Sequence, residues 1–185
     1  QNSFAGSISS ADSVCYGVNG DTLQLNGNVG NVLTWQMSID NGANWLTQTN
    51  TTPKLIYNNI KQTTHYKVVV KNGACPSVTS TPVAITVHAI NQASAGDDIT
   101  ITQYDPVTLN GSGNGTPTWS PAASLNDAST FTPEAYPLQT TTYLLTLTDV
   151  HSCITYDEVT LNVIIPIPTA FSPNGDGVND VVIGA

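Results

Sequence analysis

The strongest constraint on the fold is a repeated alternation of apolar and polar residues, the pattern of a β-strand with one buried face. The apolar positions of this strand occur twice, as Tyr66, Val68 and Val70 and again as Tyr143, Leu145 and Leu147. Each copy follows a strand that contains one tryptophan, Trp35 in the first and Trp119 in the second. Short strands with a buried tryptophan, repeated after roughly 80 residues, predict two immunoglobulin-like β-sandwiches in tandem.

The strand that carries Trp35 illustrates how the prediction is made. Leu33, Met37 and Ile39 alternate with polar residues, so we expect all three to share the buried face of Trp35. Asn41 and Gly42 follow at once, and this pair favours a tight hairpin because both turn positions need a positive φ. We therefore predict an all-β fold with one sandwich over residues 1–89, a second over residues 90–165 and a tail over residues 166–185.

The charge of the chain excludes one large class of partners. Lys and Arg total 4 against 13 Asp and Glu, which gives a formal net charge of −9. The four lysines all lie in residues 1–71, whereas residues 72–185 carry carboxylates and no cationic side chain apart from histidine. Nucleic acid binding requires cationic groups on phosphates, so we expect no nucleic acid partner. No apolar run approaches the roughly 20 residues of a transmembrane helix.

Near the C-terminus the chain resembles a known sorting signal. The motif is Pro168-Thr169-Ala170-Phe171-Ser172-Pro173-Asn174-Gly175-Asp176-Gly177-Val178-Asn179-Asp180. It is similar to the start of the gliding motility-associated C-terminal domain of Bacteroidetes surface proteins, a type B signal of the type IX secretion system. The resemblance implies that the chain is the end of a longer exported protein, that its sorting domain is truncated, and that its partners are type IX secretion and outer-membrane attachment components.

The two sandwiches also resemble repeats of Bacteroidetes surface proteins. Residues 6–87 are similar to their Ig-like repeats, through motifs such as Trp35-Gln36-x-Ser38-x-Asp40 and Cys75-Pro76-Ser77. Residues 95–163 are similar to their PKD-like repeats, through Thr118-Trp119-Ser120-Pro121 and Asp149-x-x-x-Cys153. The resemblance implies an extracellular location on the surface of a Gram-negative bacterium.

The chain has three cysteines, an odd number for an exported protein. Relatives of the first repeat carry cysteines at the positions of both Cys15 and Cys75, so the resemblance implies a Cys15–Cys75 disulfide. The alternative is that both are reduced, buried thiols. Many PKD-like relatives pair the cysteine equivalent to Cys153 with one at the position of Thr102. Because that partner is missing here, we expect Cys153 to be a free, half-buried thiol, with an intermolecular bridge as the alternative.

Calcium is the only cofactor that the sequence suggests. Asn174, Asp176 and Asp180 have the spacing of oxygen ligands in a calcium loop, with Gly177 at the tight turn. The twelfth position holds Ile183 where an EF-hand needs glutamate, and Asn-Gly and Asp-Gly pairs form turns without a metal. Both interpretations stay open.

No group of residues in the sequence suggests catalysis. None of the three histidines lies next to a nucleophile motif, and nothing brings Glu134 and Glu158 together as an acid–base pair. Trp45 and Tyr136 are candidates for stacking on a sugar ring. We therefore expect a non-enzymatic stalk or adhesin-type module of a type IX-secreted surface protein, with a gliding-associated system as an open alternative and surface glycans or another surface protein as candidate partners. The alternative is a carbohydrate-binding accessory module of a secreted polysaccharide hydrolase.

Overall fold

The computed structural model describes residues 1–9 and 13–166, and within these residues it contains strands and no helix. The chain divides into two compact units, of which the first is Gln1–Ile90 and the second begins at Asn91. The predicted all-β class is therefore confirmed. The strands of the first unit are β1 (Ser7–Ile8), β2 (Ser13–Cys15), β3 (Gly20–Asn26), β4 (Asn31–Ser38), β5 (Leu46–Gln48), β6 (Lys54–Asn58), β7 (Thr64–Lys71), β8 (Val78–Thr79) and β9 (Val83–His88).

The first unit is a sandwich of two sheets. The smaller sheet has the strand order β1-β3-β6, and the larger has the order β2-β9-β7-β4-β5 with β8 paired to β7. All pairs are antiparallel except β2 with β9, which run parallel. β8 and β9 act as one interrupted strand along β7, and Ser80 joins them: its Oγ accepts from the Val68 N–H, and its own N–H donates to the Val68 carbonyl.

Residues from both sheets form the core of the first unit. Trp35 lies on β4 of the large sheet and is fully buried in a core that it shares with Leu23 and Leu25 of the small sheet and with Val68 and Val70 of its own sheet. The indole N–H donates to the Thr52 carbonyl at 2.8 Å, which satisfies the only polar group of the side chain.

The prediction for β4 is wrong at two positions. Leu33 is 45% exposed and Ile39 is 52% exposed, whereas Val32 is buried. The register between β4 and β7 shifts between Val32 and Thr34, so Leu33 is the extra residue of a β-bulge. The bulge lets Val32 and Trp35 face the same core although they are three positions apart in the chain, and Ile39 lies beyond the end of the strand.

The second unit is also a sandwich, with fewer strands. They are β10 (Ile99–Thr102), β11 (Val107–Thr108), β12 (Thr116–Ser120), β13 (Glu134–Ala135), β14 (Thr141–Thr148) and β15 (Ile154–Ile164). One sheet has the order β10-β15-β14-β12 and the other pairs β11 with β13. β10 runs parallel to β15, and the remaining pairs are antiparallel.

The core of the second unit repeats the plan of the first. Trp119 is 1% exposed, and its indole N–H donates to the Thr130 carbonyl at 2.9 Å. The apolar positions of β14, Tyr143, Leu145 and Leu147, are buried as predicted. The Tyr143 hydroxyl lies 2.5 Å from the Ser124 Oγ, so this buried phenol also has a polar partner.

Candidate functional site

The β4–β5 hairpin positions Trp45, the first of the two residues predicted to contact a glycan. Asn41 and Gly42 have φ values of 57° and 88°, so the predicted turn with two positive φ angles is confirmed. Trp45 is half-buried, and the Lys67 Nζ lies 3.8 Å from the centroid of its ring. A glycan that stacked on this face of the ring would have to displace the lysine and lose a cation–π contact.

Asp40 holds the same hairpin rigid through hydrogen bonds to its carboxylate. The Ser38 hydroxyl donates to Oδ1 at 2.6 Å, and Asn44 donates its backbone N–H to Oδ1 and its amide to Oδ2. These bonds favour the ionised form, with the Ser38 contribution largest, and lower the pKa of Asp40 from 3.8 to about 2. The carboxylate is therefore engaged in the turn itself.

The predicted Cys15–Cys75 disulfide is wrong. Cys75 is a free thiol, whereas Cys15 is disulfide-bonded. Cys15 pairs with His88 at the end of β9, level with the start of β7, and Cys75 follows the opposite end of β7. The two residues are separated by at least the whole length of that strand, roughly 26 Å at 3.3 Å per residue, and a disulfide needs Cα atoms within about 7 Å.

Cys75 lies in the turn after β7, against the N-terminal residues. Its Sγ is 3.7 Å from the Gln1 carbonyl oxygen, and its N–H donates to the Asn72 carbonyl. Asn72 in turn donates its backbone N–H to the Ser3 hydroxyl and its amide to Gln1. The thiol is therefore half-buried beneath residues 1–3.

The prediction of a free, half-buried Cys153 is also wrong, since this residue is disulfide-bonded and 3% exposed. Its N–H donates to the Asp149 carboxylate at 2.8 Å, and the Asp149 N–H donates to the Cys153 carbonyl at 3.0 Å. The partner position inferred from the resemblance could not have been right, because Thr102 pairs with Ile164 at the far end of β15. In the sequence analysis, a bonded Cys153 appeared only as the alternative of an intermolecular bridge.

Tyr136, the second residue predicted to contact a glycan, lines a cleft of about 660 Å³ in the second unit. Two segments pair antiparallel at this cleft: the Tyr136 N–H donates to the Ser124 carbonyl, and the Asn126 N–H donates to the Glu134 carbonyl. The remaining lining residues are Ala123, Leu125, Pro137, Leu138, Gln139 and Thr141. Of these residues the sequence suggested only Tyr136, because the two-residue strand β13 and the irregular segment beside it are too short to show a periodic pattern.

Alternation places the apolar and polar side chains of the cleft on opposite sides of the paired segments. Leu125 and Ala135 form a β-bridge and belong to the core, whereas Tyr136 is 45% exposed. The Tyr136 hydroxyl donates to the Glu134 carboxylate, and this hydrogen bond is the main reason that the pKa of Tyr136 is raised. The ring is thus held at both ends, by its backbone and by its hydroxyl.

The metal and sorting predictions fall largely outside the described residues. Asn174, Asp176 and Asp180, and the whole sorting motif from Pro168 to Asp180, lie there. Within residues 1–9 and 13–166, no three His, Cys, Asp or Glu side chains are grouped so that they could hold a metal ion. The same residues include no helix with the length and apolar character needed to cross a bilayer.

Comparison with known proteins gives one match to a family model, over part of the chain, and several structural likenesses. Residues 4–89 match the model of a family described as a domain of unknown function (DUF8696). No curated protein matches the chain in sequence. The chain is similar to extracellular domains 3–5 of Drosophila OTK, with 15% identity and a TM-score of 0.46 over 84% of this chain and 59% of that chain.

Two further solved structures are similar to this chain. One is the insect immune protein hemolin, with 13% identity and a TM-score of 0.45 over 88% of this chain and 47% of that chain. The other contains the fibronectin(III)-like modules of Clostridium thermocellum CbhA, with 9% identity and a TM-score of 0.37 over 86% of this chain and 94% of that chain. The chain thus spans 59% of the OTK structure and 47% of the hemolin structure.

Proposed function

We propose that this chain is a non-enzymatic stalk or adhesin-type segment of a large protein on the surface of a Gram-negative bacterium. The observation that carries the proposal is the presence of two β-sandwich units, each with its own closed core around a buried tryptophan. Such modules keep their shape because their cores are close-packed, so a series of them can hold a distal binding region away from the cell. Disulfide-bonded cysteines support an extracellular location.

The route of export forms the second part of the proposal. We infer that residues 166–185 contain the start of a type IX sorting signal, and that the protein belongs to a gliding-associated system of the Bacteroidetes. The support is the motif from Pro168 to Asp180, which resembles the start of the type B signal without interruption. Secretion and attachment components of the outer membrane would be its partners.

Deletion of residues 166–185 from the full-length protein tests this route. We expect the protein to be made but to disappear from the cell surface, as measured by antibody labelling of intact cells against total protein in lysates. A Cys75→Ser variant is the matched control, since it alters the first unit and leaves the motif intact; it should be displayed normally. Unchanged display after the deletion would reject the sorting role while leaving the stalk proposal intact.

A second candidate function is a carbohydrate-binding accessory module of a secreted polysaccharide hydrolase. The cleft beside Tyr136 favours it, because binding sites for small ligands are concave and commonly have volumes of about 300–1,000 Å³. On a glycan array, a signal that is lost in Tyr136→Ala would support this function. Absence of binding to plant, algal and bacterial glycans would favour the stalk.

A further inference from the structure

The cleft of the second unit has the chemistry of a carbohydrate site. An exposed phenol ring, Tyr136, stands beside side chains that can donate and accept hydrogen bonds, namely Ser124, Asn126, Gln139 and Thr141. Sugars offer an apolar C–H face and a rim of hydroxyls, which match an aromatic ring and amide groups respectively. From this combination we infer that the cleft binds neutral saccharides, with Tyr136 as the stacking platform.

The ring of Tyr136 is held in place before any ligand arrives. Its backbone N–H donates to Ser124, its hydroxyl donates to the Glu134 carboxylate, and the next residue, Pro137, is buried. Leu138 also lines the cleft, and the Gln103 amide donates to its carbonyl at 2.9 Å, which fixes this part of the lining. A preformed platform avoids most of the entropy lost when a side chain is ordered on binding.

Two amide side chains supply the polar contacts. The Asn126 Oδ1 accepts from the backbone N–H groups of Asp127 and Glu134, which orients the amide so that Nδ2 points away from them. Among the described residues, neither the Asn126 Nδ2 nor the side-chain amide of Gln139 forms a hydrogen bond. Both residues are exposed. These groups are available to sugar hydroxyls.

The charges around the cleft disfavour anionic ligands. Glu134 and Asp127 lie beside it, and residues 91–166 contain no Lys or Arg to attract an anion. A uronic acid or a sulfated sugar would therefore be repelled.

This inference deepens the second proposed function, yet it applies equally to a sandwich within a stalk. Its test uses the purified 185-residue chain, so it is independent of secretion and of any hydrolase upstream. The probes are cellohexaose, mannohexaose and laminarihexaose as neutral ligands, with hexagalacturonate as the anionic and glucosamine hexamer as the cationic comparison. Binding is followed by NMR chemical-shift perturbation, which also identifies the residues whose environment changes when the sugar binds.

We expect at least one neutral hexasaccharide to bind and to shift resonances of residues 123–141. Tyr136→Ala should weaken this binding by about tenfold or more, because it removes the stacking platform. Tyr136→Phe should retain most of the affinity, and Gln139→Ala should lose part of it. Tyr156→Ala is the matched control, because this tyrosine is 72% exposed and lies on β15 outside the cleft; its affinity should be unchanged.

Several results would overturn the inference. These are the absence of binding by all three neutral probes at millimolar concentration, perturbations that lie outside residues 123–141, and equal losses in Tyr136→Ala and Tyr156→Ala. Tighter binding of hexagalacturonate or of the glucosamine hexamer would overturn the selection for neutral ligands. Amide spectra of each variant show that the unit is folded, so a loss of binding can be assigned to the cleft.

Discussion

Asp40 shows how much of a hairpin can depend on one carboxylate. It accepts hydrogen bonds from Ser38 and Asn44, whose donors come from both sides of the turn. The Ser38 hydroxyl also accepts from the Gly42 N–H at 2.9 Å, and Ser38 is 1% exposed. The position of Trp45 beneath Lys67 therefore rests on a local network and on the Asn41-Gly42 turn.

The first prediction concerns the titration of Asp40. Because its folded-state pKa of about 2 is lower than the ordinary value of 3.8, Asp40 stabilises the protein at pH above 3.8, and this contribution is lost as the pH falls from 3.8 to about 2. NMR titration of the side-chain carboxyl should give a midpoint near 2, and Asp40→Asn should reduce the loss of stability in this window. A midpoint near 3.8 would show that the network is absent in solution.

The cysteines provide the second prediction. Alkylation of the native protein with iodoacetamide, followed by peptide mapping, should modify Cys75, while Cys15 and Cys153 should be modified only after reduction. Because Cys75 is half-buried, the denatured, non-reduced protein is needed as a control for access. Recovery of an unmodified Cys75 from that control would contradict the assignment of the free thiol.

At the scale of elements, the bulge in β4 gives the third prediction. Val32 is 6% exposed and faces the core, whereas its neighbour Leu33 is 45% exposed at the bulge. Val32→Ala should lower the free energy of unfolding by about 2 kcal/mol, because it removes buried methyl groups and leaves a cavity. Leu33→Ala, although it deletes more atoms, should change the stability by less than about 0.5 kcal/mol.

Urea denaturation of the two β4 variants measures this difference directly. If Leu33→Ala is the more destabilising of the pair, the strict alternation read from the sequence is right and the bulge is absent. Amide spectra should accompany the measurement, because they show whether either variant alters β4 itself. The comparison is internal to one strand, so differences in the unfolded state largely cancel.

The same strand shows what can and cannot be predicted from the sequence. Alternation in β7 and β14 and the Asn41-Gly42 turn follow from local rules, and the structure agrees with them. A bulge depends on the register against a neighbouring strand, which no local pattern encodes, so Leu33 was placed on the wrong face. The cysteine pairing failed for a related reason, because it depends on which end of β7 is level with β2 across the intervening strand β9.

The candidate cleft was harder to predict from the sequence than the strands were. Tyr136 was suggested as an aromatic residue with solvent access, but nothing marked Ser124 and Asn126 as its neighbours. They meet because the segment around Leu125 pairs with the segment around Ala135, ten positions away and outside the long strands. Sites built on short or irregular segments can be identified only once the fold is known.

At the scale of the whole molecule, the charge is distributed unevenly. All four lysines belong to the first unit. The carboxylates of the described part of the second unit are Asp97, Asp98, Asp105, Asp127, Glu134, Asp149, Asp157 and Glu158. Repulsion among them disfavours the compact state of the second unit and is screened by salt over about 10 Å at 0.1 M.

The fourth prediction follows from this imbalance. Raising the NaCl concentration from about 10 mM to 0.2 M should stabilise the second unit by on the order of 1 kcal/mol, since the Debye length falls below the spacing of surface charges. Unfolding of this unit can be followed by the NMR signal of the Trp119 indole N–H, because the indole is buried in its core. Asp97→Asn with Asp105→Asn removes two exposed charges and should reduce the salt response, with most of its stabilising effect at low salt. Stability that falls with added NaCl would mean that attractive contacts outweigh the repulsion, and an unchanged response in the double variant would mean that Asp97 and Asp105 do not contribute to it.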